Sequence, residues 1–429
     1  MKSIYLKIFI LSTLLICIAS CTEPYALQTN TFEDAVVVEA TITNEFKKQE
    51  IKLSRSYRLE DNRPAFEAGA TVYVKDDLGN QYNFEENNGK YISTSEFQTA
   101  ANRTYQLFIT TNDGKSYAST IQSLTTDTPI QNIVPEIATK EGVRGVQMAV
   151  KSFDPTNTSK YYRYEYEETS RITAPKWSDY ELKFSTTQFY CPTSSLIGFP
   201  YLYVVPKNNE IGKVCYKTQS STDIILTNTN SLSEDRVNFP VRFVASSDYT
   251  IAERYSIEVK QYVESFESYS FYSTLRKISG SGSILSQNQP GFIYGNIKSI
   301  TNPNEKVIGF FNVSSVSRKR IFFNFEDLFT GEPKPKYYDE CEEEIFCSIK
   351  FTEPDPPLYS YFGDCASNNV QCPPGRIQDY GAGNALRTAL TLNRRIYYNG
   401  MYPNFTVVKP ICGDCTQVGA NLKPIFWID

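Results

Sequence analysis

The chain has 429 residues, with 43 Lys and Arg against 48 Asp and Glu, a formal charge of −5, and no histidine. Without imidazole there can be no Ser-His-Asp or Cys-His catalysis, no histidine-ligated zinc or copper, and no histidine pH switch. An acidic balance with no basic patch also argues against nucleic acid as a partner.

The first elements concern export. Lys2 and Lys7 form a basic n-region, and Ile8 to Ile18 is an apolar stretch interrupted by Ser12 and Thr13. That run falls short of the roughly twenty apolar residues needed to cross a bilayer, and residues 1–20 have the layout of a secretory signal. Ile18-Ala19-Ser20-Cys21 resembles the lipobox of bacterial lipoproteins, so Cys21 is the expected lipidation site; the alternatives are ordinary cleavage near Ala19 or an uncleaved anchor. The two or three acyl chains of a lipoprotein hold it stably where one would not. Residues 21–31 are polar, contain Pro24, and read as a tether. Removing residues 1–20 takes away Lys2 and Lys7 and shifts the formal charge to −7.

Residues 32–127 read as an N-terminal β-sandwich of the Ig-like or carboxypeptidase-regulatory-like kind. Val36, Val38, Ala40 and Ile42 alternate with more polar neighbours, as do Ile51 and Leu53, Val72 and Val74, and Tyr105, Leu107 and Ile109. Period two puts one set inward and the other outward. Asp77-Leu78-Gly79-Asn80, Asn87-Asn88-Gly89 and Asn112-Asp113-Gly114 are the turns. Thr125 to Pro129 reads as a linker.

Residues 128–332 read as a larger β domain that holds most of the aromatic excess. On the strand Tyr161-Tyr162-Arg163-Tyr164-Glu165-Tyr166, the side chains of Tyr162, Tyr164 and Tyr166 share one face. Core packing is the expected use of that face, with a ligand-stacking surface as the rival. Phe266, Tyr269, Tyr272, Leu275 and Ile278 recur every third residue before Gly280, which predicts one flanking amphipathic helix near 264–279.

From 333 to 429 the periodicity fades, and prolines alternate with cysteines around an acidic run from Asp339 to Glu344. Such a segment is expected to bury little and to be held by disulfides. With Cys17 removed and Cys21 lipidated, eight cysteines remain: Cys191, Cys215, Cys341, Cys347, Cys365, Cys372, Cys412 and Cys415. An even number in an exported protein predicts up to four disulfides. Cys191 and Cys215, apart from the others, would close a loop worth about 3 kcal/mol in the chain-entropy model. A zinc site on Cys412-x-x-Cys415 and a redox role for that motif are the rivals; neither is favoured, and no metal or cofactor is expected.

Three stretches carry a family resemblance. The first is Ile224-Ile225-Leu226 leading through Ser231-Leu232-Ser233-Glu234-Asp235 to Phe239-Pro240-Val241-Arg242-Phe243. The second is Arg254 to Tyr262 running into the helix. The third is Gly295-Asn296-Ile297 with Asn302 to Phe311 and Ser314 to Phe322. Together with Ala35 to Ala40, Gly69 to Val74 and the Cys412-Gly413-Asp414-Cys415 ending through Trp427, they resemble the Bacteroidetes outer-membrane lipoproteins of domain of unknown function 4249. The loop Ser286 to Phe292 departs from the family pattern. The resemblance implies a place alongside TonB-dependent outer-membrane transporters. Taken with the lipobox, the absence of catalytic groups and the β-module at the tether, it supports the expectation of a non-enzymatic outer-membrane lipoprotein, held on the membrane by its lipid anchor, that serves as accessory or substrate-capturing partner of such a transporter. It assigns no catalytic residues and no ligand. A structural or adhesive surface protein binding glycans or matrix is the alternative, and a carboxylate-only hydrolase stands third.

Overall fold

The alternating runs of the N-terminal region form strands whose buried sides follow the alternation. The structure is a computed structural model that describes residues 35–56, 65–184, 189–190, 197–198, 202–280, 293–337, 341–347, 377–378, 385–400 and 404–429. Val36, Val38, Ala40 and Ile42 are buried, and so are Ile51, Leu53, Val72, Val74, Tyr105, Leu107 and Ile109. Asn88 and Gly89, at φ 49° and 77°, form a two-residue hairpin between the strands Gln81–Asn87 and Lys90–Ser93. Two positive φ values give a turn whose twist matches that of its flanking strands.

One ten-stranded sheet curls over this core. Its order is Ile297–Ser299, Ser116–Ser119, Thr104–Thr110, Thr71–Asp76, Gln81–Asn87, Lys90–Ser93, Glu50–Arg55, Val36–Thr43 and Val307–Ser314, with Gln122–Ser123 beside Thr104–Thr110. Both outermost strands come from the stretch that the sequence assigns to the second domain, and Val307–Ser314 pairs in parallel with Val36–Thr43. Asn296 stitches the two ends together. Its Nδ2 donates to the Phe311 carbonyl at 2.9 Å and its Oδ1 accepts the Phe311 N–H at 2.8 Å. The amide thus fills the place of a ladder pair that an open edge would leave unmade, and the sheet becomes a nearly closed barrel. Gly309 is required at this seam, because a Cβ there would lie 2.0 Å from the Val38 carbonyl oxygen, at a φ of 135°.

The second unit packs two sheets face to face. Asp235–Ala245, Val143–Asp154 and Ile130–Lys140 make three strands; Val214–Ser220, Tyr161–Thr173, Arg254–Glu264 and Val316–Asn324, with Ile225–Asn228 alongside, make five. Met148, Val150, Tyr162, Tyr164, Ile257, Val259 and Phe323 lie in their shared core, and Tyr166 packs against it. The tyrosine face is therefore core, as the alternation predicts. Tyr161, on the opposite face, meets Phe266 and Tyr269 of the helix.

Ser315 alone separates the barrel strand Val307–Ser314 from the sandwich strand Val316–Asn324. The segment read as a linker is fastened there. Thr125 Oγ1 donates to the Val263 carbonyl at 2.8 Å and accepts from the Ser315 N–H at 2.9 Å, while Ser315 Oγ donates to the Thr126 carbonyl at 2.6 Å.

The expected helix forms over Phe266–Gly280, and Tyr269, Tyr272, Leu275 and Ile278 of the predicted stripe are half-buried, with Phe266 the exception. Steps of three residues drift by about 60° on a 3.6-residue helix, so a five-member series fans round much of the circumference. Ser268 and Phe271 are buried, whereas Phe266 is 61% exposed. Phe271 meets Phe310 of the barrel and Phe266 meets Tyr161 of the sandwich, so the helix bridges both units.

The C-terminal segment buries more than its sequence suggests. Ile377–Gln378, Glu344–Cys347, Asn404–Val408 and Ile396–Asn399 form a four-stranded sheet. Leu386, Tyr397, Phe405 and Val407 share a core with Leu182 and Val204 from the hairpin Tyr180–Phe184 and Leu202–Pro206. These strands are too short to show a period, and their partners lie far away in sequence. From the acidic run, Glu343 pairs with Lys176 at 2.5 Å and Glu344 pairs with Arg395. Among the described residues, no helix is long and apolar enough to cross a membrane.

Candidate functional site

Two disulfides build the wall of the leading site. Cys215 bonds to Cys415 across 200 residues, and Cys341 bonds to Cys412 across 71. The expected closure of Cys191 on Cys215 is corrected by the first of these. Its cause is tertiary: Tyr216 and Ala420 exchange backbone hydrogen bonds of 2.8 and 2.9 Å, which bring the chain end alongside the strand carrying Cys215. Cys412 and Cys415 have different, remote partners, so their thiolates are not available together to a metal. Cys347 lies in the strand Glu344–Cys347. Cys21, Cys191, Cys365 and Cys372 lie outside the described residues, as do the tether and the loop 286–292.

Between the two bonded cysteines, Gly413 and Asp414 line a pocket of about 480 Å³. Gly413 has no room for a side chain, since a Cβ would fall 2.6 Å from Ile396 Cδ1 and 3.0 Å from the Lys176 carbonyl oxygen. Asp414 caps the short turn Cys415–Gln417, with Oδ1 accepting from the Thr416 N–H at 2.9 Å and from Thr416 Oγ1 at 2.7 Å. Backbone bonds from Cys415 to Gly212 and from Lys176 to Cys412, each 2.9 Å, hold this clamp against the sandwich. The Cys-Gly-Asp-Cys motif is thus a structural clip, and no titrating dithiol remains in it.

The opposite wall comes from the hairpin and the loop that follows it: Tyr180, Glu181, Leu182, Lys207, Asn208 and Asn209. Trp177 anchors that loop by donating from Nε1 to the Ile211 carbonyl at 3.0 Å, and its ring lies 4.9 Å from Lys207 Nζ and 5.0 Å from Lys213 Nζ. The two lysines differ. Lys213 is paired with Glu210 at 2.6 Å. Lys207 is half-buried, and among the described residues its ammonium has neither an ion-pair nor a hydrogen-bond partner. Burial lowers its pKa, against the opposing pull of Glu181, Asp414 and Asp179. The two carboxylates that line the pocket are engaged, Glu181 with Lys183 at 2.9 Å and Asp414 with Thr416. Tyr180 is 49% exposed at the mouth. None of Trp177, Tyr180 or Lys207 stands in a motif, and nothing in the sequence joins them to Asp414 some two hundred residues away.

A second cleft, between barrel, sandwich and helix, is lined by Glu39, Lys52, Arg163, Glu165, Asp223 and Tyr272. Its deep cation is already committed. Arg163 Nε donates to Glu264 at 2.8 Å and Nη1 to Glu165 at 2.5 Å, with the guanidinium 4.1 and 4.8 Å from the Tyr262 and Tyr272 ring centres. Glu264 also accepts from Ser268 of the helix at 2.6 Å and from Asn312 of the barrel at 2.5 Å. The geometry is that of a rivet joining three parts of the fold, so the clip pocket is the better candidate for a ligand.

No curated protein matches the chain. Among solved structures, it is similar to one described as "Biofilm associated protein - BSP domain", at 8% identity and a TM-score of 0.15, over 68% of this chain. The chain spans 59% of that protein's length, and a likeness of this size carries no argument about fold or activity. Residues 22–320 match the model of the family described as "Domain of unknown function (DUF4249)", and the chain belongs to that family.

Proposed function

We propose that the chain is an outer-membrane lipoprotein, anchored through Cys21, that works without catalysis as the substrate-capturing accessory of a TonB-dependent transporter. The observation that carries this reading is the clip pocket. It is large enough for a small ligand and is held by two disulfides. Its Lys207 ammonium has no ion pair among the described residues while its lining carboxylates are already engaged, a set of groups suited to holding a molecule more than to transforming it. The lipobox-like Ile18-Ala19-Ser20-Cys21 supports the anchor. Tyr180, exposed at the mouth, favours a second reading, a surface protein that stacks glycans without handing them on.

Affinity purification from detergent-solubilised membranes through a C-terminal tag tests the partner. A β-barrel transporter should co-purify in stoichiometric amount, and its absence would defeat the accessory role while leaving the adhesive one.

A further inference from the structure

We infer that the clip pocket binds a small hydroxylated molecule through a carboxylate, with Lys207 as the charge partner. The inference rests on the reading of this pocket as a capture site and names what it captures. Arg395, the other cation at the pocket, is neutralised by Glu344. Lys207 also lines the cavity; its ammonium sits over the Trp177 ring and makes no ion pair among the described residues. A half-buried ammonium in that position has lost part of its hydration, and Glu181, Asp414 and Asp179 act on it without any of them forming a direct ion pair. An anion entering the pocket would supply what is missing. The remaining lining narrows the class. Asn208 offers an amide that can donate and accept, and Asn209 offers its amide N–H groups while its Oδ1 accepts the Ile211 N–H at 3.1 Å. Tyr180 offers a partly exposed ring, and Leu182 and Leu390 offer a limited apolar surface. Amides beside an aromatic ring suit hydroxyls on a compact ring or chain. The engaged acids, Glu181 and Asp414, disfavour a ligand with several negative charges, so one carboxylate fits better than a phosphate or a polyanion.

The pocket also makes the test clean. Because Lys207 has no carboxylate partner to orphan, Lys207→Met should leave the melting temperature of the mature chain within a degree or two. D-galacturonate and D-galactose are the probes, differing at one carbon by carboxylate against hydroxymethyl. Isothermal titration of the intact lipid-free chain should show galacturonate binding at least tenfold more tightly than galactose. Lys207→Met should erase that preference, while Lys207→Arg, which keeps the charge, should retain most of it. Galacturonate should also protect Lys207 from acylation by an amine-reactive ester, read by peptide mass mapping, while Lys213 stays equally reactive. Equal binding of the two sugars, no binding of galacturonate, or an unchanged preference in Lys207→Met would overturn the inference. Failure to recover a transporter bears on the accessory role alone, so the two ideas can fail separately.

Discussion

Replacing Arg163 with Met tests the rivet. Arg163 is 8% exposed and Glu264 3%. With the guanidinium gone, Glu264 keeps its bonds from Ser268 and Asn312 but loses the partner at Oε1 and the compensating charge. Orphaning one member of a buried pair costs about 3–5 kcal/mol. Two ring contacts disappear as well, each worth about 1–2 kcal/mol when desolvated, although Met fills part of the space between the Tyr262 and Tyr272 rings. Glu165 should respond too. Burial pushes its carboxyl up, but the Arg163 charge and hydrogen bond outweigh that and hold it below the ordinary range, an advantage the variant loses. We therefore expect Arg163→Met to lose at least about 3–5 kcal/mol in equilibrium urea unfolding followed by circular dichroism. The double variant Arg163→Met/Glu264→Gln, which removes the buried charge itself, should recover about 2 kcal/mol relative to additivity. A loss below about 1 kcal/mol, or strict additivity in the double variant, would show that the charges contribute little and that the helix is held by packing alone.

Four further outcomes are expected, the first from the sequence and the others from the structure. Cys21→Ser should abolish metabolic labelling by palmitate and release the protein from membranes; continued labelling would refute the anchor. Non-reducing peptide mapping should recover Cys215 linked to Cys415 and Cys341 linked to Cys412. Substituting the first pair by alanine should cost up to about 5 kcal/mol, the loop-closure value for so long a loop, and a cost near zero would mean that the clip is redundant. Tyr164→Ala should cost about 3–5 kcal/mol, since the ring is buried and its hydroxyl meets Gln261 at 3.0 Å; an unchanged melting temperature would contradict core packing. Asp154 is pushed up by burial, but hydrogen bonds from Thr156, Ser159 and Thr158 outweigh that and hold its carboxyl well below the usual range. A carboxylate so lowered contributes stability that is present above its unfolded pKa, about 3.9, and lost as pH falls through the folded value. Asp154→Asn should therefore be less stable than the parent at pH 7 by a margin that narrows below about pH 4, and a margin constant down to pH 2 would refute the linkage.

The legible part of this fold is the part written in local periods. Val36 to Ile42 and Tyr105 to Ile109 alternate, and each buried residue is the one the alternation names. Asn88-Gly89 is a hairpin because those two residue types accept positive φ. Periodicity locates the helix and four half-buried members of its stripe but not the exposed Phe266, because a spacing of three drifts round a backbone that turns every 3.6 residues. Ser268, fully buried, was invisible to a hydrophobic count. It is inside because Glu264 needs its hydroxyl, and that need exists only once Arg163 and Asn312 have arrived from elsewhere in the chain.

What stayed hidden shares one physical character: long sequence separation joined by short or polar contacts. The parallel pairing of Val36–Thr43 with Val307–Ser314 has no hairpin turn to announce it, since parallel strands are joined by long crossovers. The Asn296 stitch consists of two hydrogen bonds from a single amide. Cys215 finds Cys415, and not a nearer cysteine, because the chain end docks on its strand through Tyr216 and Ala420. The same logic applies to the clip pocket. Lys207 and Asp414 line one cavity although they lie far apart in the chain, and the disulfides hold the wall that carries Gly413 and Asp414. A site that looks like unrelated loops in sequence is thus one cavity in the folded chain. The cysteines were the one signal within reach. They mark where the chain is held, and Lys207 lies on the wall that faces the one they hold.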